Sequence, residues 1–183
     1  MKIFKHNQKG FTVLELIIVS AIMVMLLTLV TVNFKGFDNK SVLDSESDKL
    51  FSVLRQAQIW SLTGHLQNGE RYSYGVYFEE CSTTETCSYF LFTDLDGDKV
   101  YDLGEGYKQG EYKMIKGAYV SSLVIEGSTS IDELSVVFEP PLGTIYFNGL
   151  EDYDSADVIL KHITYDAEQV IKVNRISGQI NIE

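Results

Sequence analysis

The sequence predicts an α+β fold: one long N-terminal α-helix packed on an antiparallel β-sheet domain. Three observations predict it. Phe11 to Phe34 is apolar except for Thr12, Glu15, Ser20, Thr28, Thr31 and Asn33. Val42 to Thr63 keeps a helical period with one apolar face. After Gly64 the period falls to two, and Gly, Pro, Asn and Ser cut the chain into short runs.

Residues 1–10 carry Lys2, Lys5 and Lys9 and no acid. As a helix, residues 11–34 span roughly 36 Å at ~1.5 Å per residue, enough for a hydrocarbon core of about 30 Å with some tilt. The leader lysines lie close to the start of this run, whereas Lys35 and Lys40 come after it among Asp38, Asp44, Glu46 and Asp48. That bias predicts a single-pass protein of the inner (cytoplasmic) membrane, with its N-terminus in the cytoplasm and the rest outside.

Residues 35–64 form the amphipathic half of the helix. Lys35-Gly36-Phe37-Asp38-Asn39-Lys40 predicts a kink or frayed turn, and Ser41 is placed to cap the next helical stretch. Leu43, Leu50, Leu54, Ala57 and Leu62 share one face, with Phe51 and Trp60 beside it. Asp44, Glu46, Asp48, Lys49, Arg55 and Gln58 make the polar side. Gly64 is the stop. Residues 65–183 form the globular β domain. Its predicted strands are Tyr72–Phe78, Tyr89–Phe92, Tyr112–Ile115, Ala118–Ile125, Leu134–Phe138, Thr144–Phe147, Val158–Tyr165, Gln169–Ile176 and Gln179–Ile182. The turn signals are Gly127-Ser128, Pro140-Pro141, Gly143, Asn148-Gly149 and Ser177-Gly178. Short connections predict antiparallel hairpins.

The junction Lys9-Gly10-Phe11-Thr12-Val13-Leu14-Glu15-Leu16 resembles the leader of type IV prepilins and pseudopilins. A secretory signal would place its cut after a shorter apolar core; here the cut implied by the resemblance lies before the core, between Gly10 and Phe11. The resemblance also implies a prepilin peptidase that cuts there and methylates Phe11, and a pilin-like fold. Cleavage would expose an amine on Phe11 with an ordinary pKa near ~8. Phe11 and Glu15, at i and i+4, lie on one helix face. An ionised acid in a membrane helix needs a partner, and Glu15 can pair with its own amine or a neighbour's, or reach the interface near the helix end. The resemblance implies the neighbour's amine, used in assembly.

Leu50-Phe51-Ser52-Val53-Leu54-Arg55-Gln56-Ala57-Gln58, Val137-Phe138-Glu139-Pro140 with Gly143, and Ser177-Gly178-Gln179-Ile180 resemble H-type minor pseudopilins and their pilus relatives. This implies a structural subunit of a type IV pilus, type II secretion or competence filament. The implied partners are other pilin or pseudopilin subunits, the prepilin peptidase, an assembly platform protein and a cytoplasmic ATPase. The alternative reading is a filament-tip binding module, an adhesin or a DNA-uptake subunit.

The formal net charge is −11, and losing the leader lysines leaves 12 basic against 26 acidic residues. Such a surface repels phosphate backbones, so no direct nucleic-acid binding is expected. His6, His65 and His162 are scattered, and neither G-x-S-x-G nor H-E-x-x-H occurs, so no catalytic site is read and no enzyme is expected. One motif carries metal chemistry. Asp94, Asp96, Asp98, Asp102 and Glu105 fall at positions 1, 3, 5, 9 and 12 of a calcium loop, with the Val100 carbonyl at position 7. Lys99 stands where an EF-hand has glycine. The competing reading is a solvated acidic turn. Cys81 and Cys87, the only cysteines, predict a short disulfide in an oxidising exterior, or else a pair of free thiols.

Overall fold

The structure, a computed structural model, describes residues 10–81, 87–102, 107–115, 117–126 and 130–183, with backbone alone for 30–39, Tyr107 and Tyr165. The leader lysines, His6, Glu105 and the Gly127-Ser128 turn lie outside these residues. The chain divides into two compact units, Met1–Asp38 and Asn39–Glu183.

Helix α1 covers Val13–Thr63. These bounds contain Lys35–Lys40, so the interruption expected there is not a helix end. In the first unit every described side chain from Phe11 to Leu29 is exposed. Among the described residues no helix is long and apolar enough to cross a membrane; the span expected from the sequence runs on to Phe34, past the last described side chain.

In the second unit Leu43, Leu50, Leu54 and Ala57 are buried, as expected. Three other expectations fail. Glu46 is only 2% exposed, although its charge assigns it to the polar side. It lies three residues after Leu43 and four before Leu50, hence on the same face, and its Oε2 is 3.5 Å from Lys49 Nζ. Gln58 is also buried, with Nε2 donating to the Gly178 carbonyl at 2.8 Å. Leu62 is 49% exposed, because Ser61 takes the inward place and donates Oγ–H to the Phe138 carbonyl at 2.7 Å. The helix stops as predicted: Gly64 is left-handed at φ 67, Gly64 N–H donates to Ser61 O and His65 N–H to Trp60 O.

After the helix comes a hairpin of β1 (Leu66–Gln67) and β2 (Glu70–Arg71), which is too short to show any alternation and is not foreseen by the pattern. Then come β3 (Ser73–Glu79), β4 (Ser88–Asp94), β5 (Tyr107–Lys113), β6 (Ala118–Ile125), β7 (Glu133–Glu139), β8 (Thr144–Phe147), β9 (Ser155–His162), β10 (Tyr165–Asn174) and β11 (Ile180–Ile182). The run read as Val158–Tyr165 is really the end of β9 and the first residue of β10, separated by a tight turn at Ile163-Thr164. Apart from the hairpin, the described strands of the β domain form two antiparallel sheets. The five-stranded sheet has order β5-β4-β3-β7-β8 and the four-stranded sheet β11-β10-β9-β6.

Strand alternation sorts the side chains. Tyr74, Val76 and Phe78 of β3, Tyr89 and Leu91 of β4, and Leu134, Val136 and Phe138 of β7 join the main core. There they meet Leu50 and Leu54 of α1 and Leu123, Val158, Leu160, Ile171 and Val173 of the four-stranded sheet. The opposite face of the five-stranded sheet carries a second cluster of Tyr77, Phe92 and Val137, flanked by Phe90, Tyr101 and Tyr146. Gly75 makes this second cluster fit: a Cβ there would lie 2.7 Å from the Phe92 ring and 2.8 Å from a Val137 methyl.

Candidate functional site

The sequence points to two sites, one in each unit. At the start of α1, Thr12 and Glu15 bond reciprocally: Glu15 N–H donates to Thr12 Oγ1 at 3.2 Å and Thr12 N–H points to Glu15 Oε2 at 3.5 Å. This is the Thr-x-x-Glu capping box, which satisfies two backbone donors that a helix start leaves over. The Glu15 carboxylate is thereby turned back toward the peptide after Phe11, the residue whose amine cleavage would free. Gly10 and Phe11 are exposed, so the junction is accessible. Thr12 is not singled out by the sequence reading, although the four-residue Thr-Val-Leu-Glu string is itself the signal.

The acidic loop runs from the end of β4 toward β5. Asp94 is 3% exposed, while Asp96 and Asp98 are exposed. Their carboxylate oxygens lie within 4.8 Å of one another. Each carboxylate also folds the loop: Gly97 N–H donates to Asp94 Oδ1 at 2.8 Å, Asp98 N–H to Asp96 Oδ1 at 3.3 Å, and Val100 N–H to Asp98 Oδ1 at 2.8 Å. The turns are left-handed at Gly97 (φ 84) and at Lys99 (φ 68). A residue with a Cβ rarely takes that conformation, so Lys99 adopts the backbone of the glycine it replaces. Its ammonium reaches Asp94 Oδ2 at 3.3 Å, Glu139 Oε1 at 3.2 Å and Ser73 Oγ at 3.1 Å. Burial pushes the Asp94 carboxyl above the usual range, against the pull of the Gly97 N–H and Lys99.

The loop is also clamped to the outer face of the five-stranded sheet. The Tyr101 ring lies 4.7 Å from Tyr77, 5.1 Å from Phe92 and 5.8 Å from Phe90, and Tyr101 N–H donates to Ser135 Oγ at 3.1 Å. Neither anchor is foreseen by the motif: the Tyr101 contacts come from three different strands, and in sequence Lys99 is only a departure from the calcium-loop pattern. Of the proposed ligands the structure brings Asp94, Asp96 and Asp98 together. Asp102 is exposed and does not join that group, and Glu105 lies outside the described residues. Hard carboxylate oxygens at this spacing suit a cation with ligand distances of about 2.3–2.6 Å. The donor set therefore fits calcium in part, with the Lys99 ammonium already bonded to one oxygen of Asp94.

Cys81 and Cys87 form a disulfide that closes the β3–β4 connection, with Cα atoms 5.8 Å apart. Cys81 N–H donates to Val120 O of β6 at 3.1 Å, tying this corner to the other sheet. His65 stacks on Trp60 at 4.8 Å, and His162 sits buried at the end of β9. Thr164 N–H donates to His162 Nδ1 at 3.2 Å and the Thr164 hydroxyl lies 3.3 Å from the same nitrogen, contacts within the β9–β10 turn.

Comparison with known proteins bears on the N-terminal site. The family described as "Prokaryotic N-terminal methylation motif" matches residues 5–31. The chain is also 34% identical over 58 residues to "Type II secretion system protein H" of Aeromonas hydrophila, a match covering 32% of each chain. The chain thus spans about a third of the length of the curated relative it matches. No solved structure matches. The chain carries a prepilin-type N-terminal segment, and over part of its length it is similar to an H-type secretion pseudopilin.

Proposed function

We propose that this chain is a structural subunit, a minor pilin or pseudopilin, of a filament built by a type II secretion, type IV pilus or competence machine. One observation carries the reading. The Gly10-Phe11 junction and Glu15 fall inside the matched methylation motif and head an apolar, fully exposed helical surface. An apolar surface of this extent has to be covered, first by lipid and then by neighbouring helices. The subunit would wait in the inner membrane with its N-terminus cytoplasmic and its globular unit outside. A prepilin peptidase would cut after Gly10 and methylate Phe11. The freed amine would then neutralise the Glu15 carboxylate of an adjacent subunit as a platform protein and ATPase drive extraction. The role is one of assembly rather than enzymology.

The test is the mass of the N-terminal peptide from cells. The expected product begins with methylated Phe11. Recovery of Met1–Gly10 still attached, in cells whose peptidase processes other substrates, would overturn the reading.

For the acidic loop we propose calcium binding through Asp94, Asp96, Asp98, Asp102 and Glu105 with the Val100 carbonyl. The convergence of the first three carboxylates and the glycine-like backbone at Lys99 support it. An ion bound only to the folded state stabilises it by about 2.7 kcal/mol at a hundredfold excess over Kd. Calcium should therefore raise the melting temperature of the full chain in detergent, and Asp96→Ala should abolish the rise. No rise in the wild-type chain removes the metal reading.

A further inference from the structure

The second half of α1 meets the sheets through two kinds of contact. Leu43, Leu50, Leu54 and Ala57 are buried among apolar side chains of both sheets. Apolar burial is non-directional, so it selects the face of the helix more sharply than its height along the axis. Directional bonds fix the height. Among the described residues, five side-chain hydrogen bonds join this helix to the sheets. On the five-stranded sheet, Lys49 Nζ donates to the Lys113 carbonyl at 3.0 Å and Ser61 Oγ to the Phe138 carbonyl at 2.7 Å. On the four-stranded sheet, Gln58 Nε2 donates to the Gly178 carbonyl at 2.8 Å and Arg55 Nη2 to the Ile180 carbonyl at 3.4 Å, while Gln169 Nε2 donates back to Asp44 Oδ1 at 3.1 Å.

The placing of these bonds matters. From Asp44 to Ser61 they are spread over roughly 26 Å of helix, and each sheet is held at more than one height. Four of the five acceptors are backbone carbonyls, which no side-chain rotation can swing away. The Gly178 carbonyl sits in a turn that is itself tied, with Gly178 N–H donating to Asn174 O at 3.0 Å and Ser177 N–H to Asn174 Oδ1 at 2.9 Å. Gln58 and Ser61 are buried, so water is poorly placed to replace a bond broken there. A slip of one turn, about 5.4 Å, is needed to bring a like face of the helix back to the core, and it breaks all five bonds on the way. Gln169 lies at Asp44 and Gly178 at Gln58, so β10 and its turn run the same way as the helix. The chain enters this unit at Asn39. A pull on that end, resisted at the far end of β10, stretches every bond together. A pull that parts helix and strand at the entry end loads them one after another, beginning with Asp44–Gln169.

We propose that this half of α1 is a shear lock, which passes a pull along the helix into both sheets at once and holds the globular unit at a fixed height on it. The inference rests on the filament reading, in which the helix is gripped in the core while the globular unit is pushed or pulled from outside. It adds to that reading a mechanical role for the polar residues on the buried side of the helix, Gln58 and Ser61 foremost.

The experiment stretches the full-length chain in detergent between two handles under constant load. One handle is always the N-terminus. The other is a new thiol, since the native cysteines are already paired. Ile176→Cys puts it at the far end, where Ile176, Gln58 and Leu62 line one groove between the last turn of α1, the β7–β8 turn and the β10–β11 turn. Glu168→Cys puts it at the entry end, on an exposed residue beside Gln169. Forced unfolding reads the unfolding rate, and the lifetime with the Ile176→Cys handle should be at least about tenfold longer than with Glu168→Cys at the same load. Gln58→Ala with Ser61→Ala should shorten the far-end lifetime roughly tenfold and change the entry-end lifetime less than about twofold, because there the break starts at Asp44. Equal lifetimes in the two arrangements would overturn the proposal, and that comparison needs no change in the lock itself. A double variant that shortens both lifetimes alike would also overturn it, since that is the mark of a general loss of stability. No filament is needed for this measurement, and the N-terminal mass reads independently, so methylated Phe11 with equal lifetimes would refute the lock and leave the filament reading standing.

Discussion

Tyr101→Ala tests whether the acidic loop is built on the sheet or merely hangs from it. In the structure the Tyr101 ring meets three partners: Tyr77 at 4.7 Å, Phe92 at 5.1 Å edge-on and Phe90 at 5.8 Å stacked. Aromatic pairs contribute about 0.5–1.5 kcal/mol each beyond burial. The three share one ring and are not additive, so a loss of about 2–3 kcal/mol is expected, within the range of a partly buried aromatic truncation. For a chain of this size each kcal/mol shifts the midpoint by about 2–4 °C, so the melting temperature should fall by roughly 4–12 °C. The Tyr101 N–H bond to Ser135 Oγ is a backbone bond and survives the change. Tyr101→Phe keeps the ring contacts and should stay within about 1 kcal/mol of wild type. The assay is thermal unfolding of the full chain in detergent, tracked by aromatic circular dichroism. A shift for Tyr101→Ala no larger than that of an ordinary surface change, about 0.5 kcal/mol, would refute the clamp. A calcium response unchanged by the variant would refute the claim that the clamp shapes the loop.

The same geometry makes three further predictions. Gly75→Ala should destabilise the β domain by about 1–3 kcal/mol, because its Cβ would sit 2.7 Å from the Phe92 ring; chemical unfolding measures this, and a neutral result would mean the outer-face cluster yields. Asp157 is pushed above the usual carboxylate range by burial, which outweighs Lys172 at 3.7 Å. A raised folded pKa favours the fold while the group is protonated, and that advantage is lost as pH rises through the folded value. Asp157→Asn should therefore raise the melting temperature near neutral pH, with the gain vanishing in acid below the unfolded carboxylate pKa; a gain independent of pH would sink the titration argument. Thr12→Ala should lower helix content at the N-terminus by removing half of the capping box, at a cost of about 1 kcal/mol. Hydrogen exchange at Glu15 N–H reports it, and unchanged protection there would count against the cap.

Local patterns in the chain determined a good deal of this. Gly10-Phe11 with Glu15, the apolar run after it, the stop at Gly64, the hairpin at Ser177-Gly178, the Cys81–Cys87 pair and the Asp94–Asp98 spacing all lie within a few residues of one another. Helical period and turn chemistry act over that same range. The same range explains the misses. Glu46 is assigned to the wrong side by its charge, although its spacing from Leu43 and Leu50 puts it in the core. Tertiary structure alone decided that the strands divide into two sheets, that β3 and β4 bury aromatic residues on both faces, and that Tyr101 and Lys99 hold the acidic loop. It alone brings Leu62 of the helix around one groove with Leu142 and Ile176 of the two distant turns. Alternation shows that a residue faces one side or the other of a strand; it carries no information about which distant strand, helix or loop covers that side, because that choice is made by packing between segments the pattern never compares.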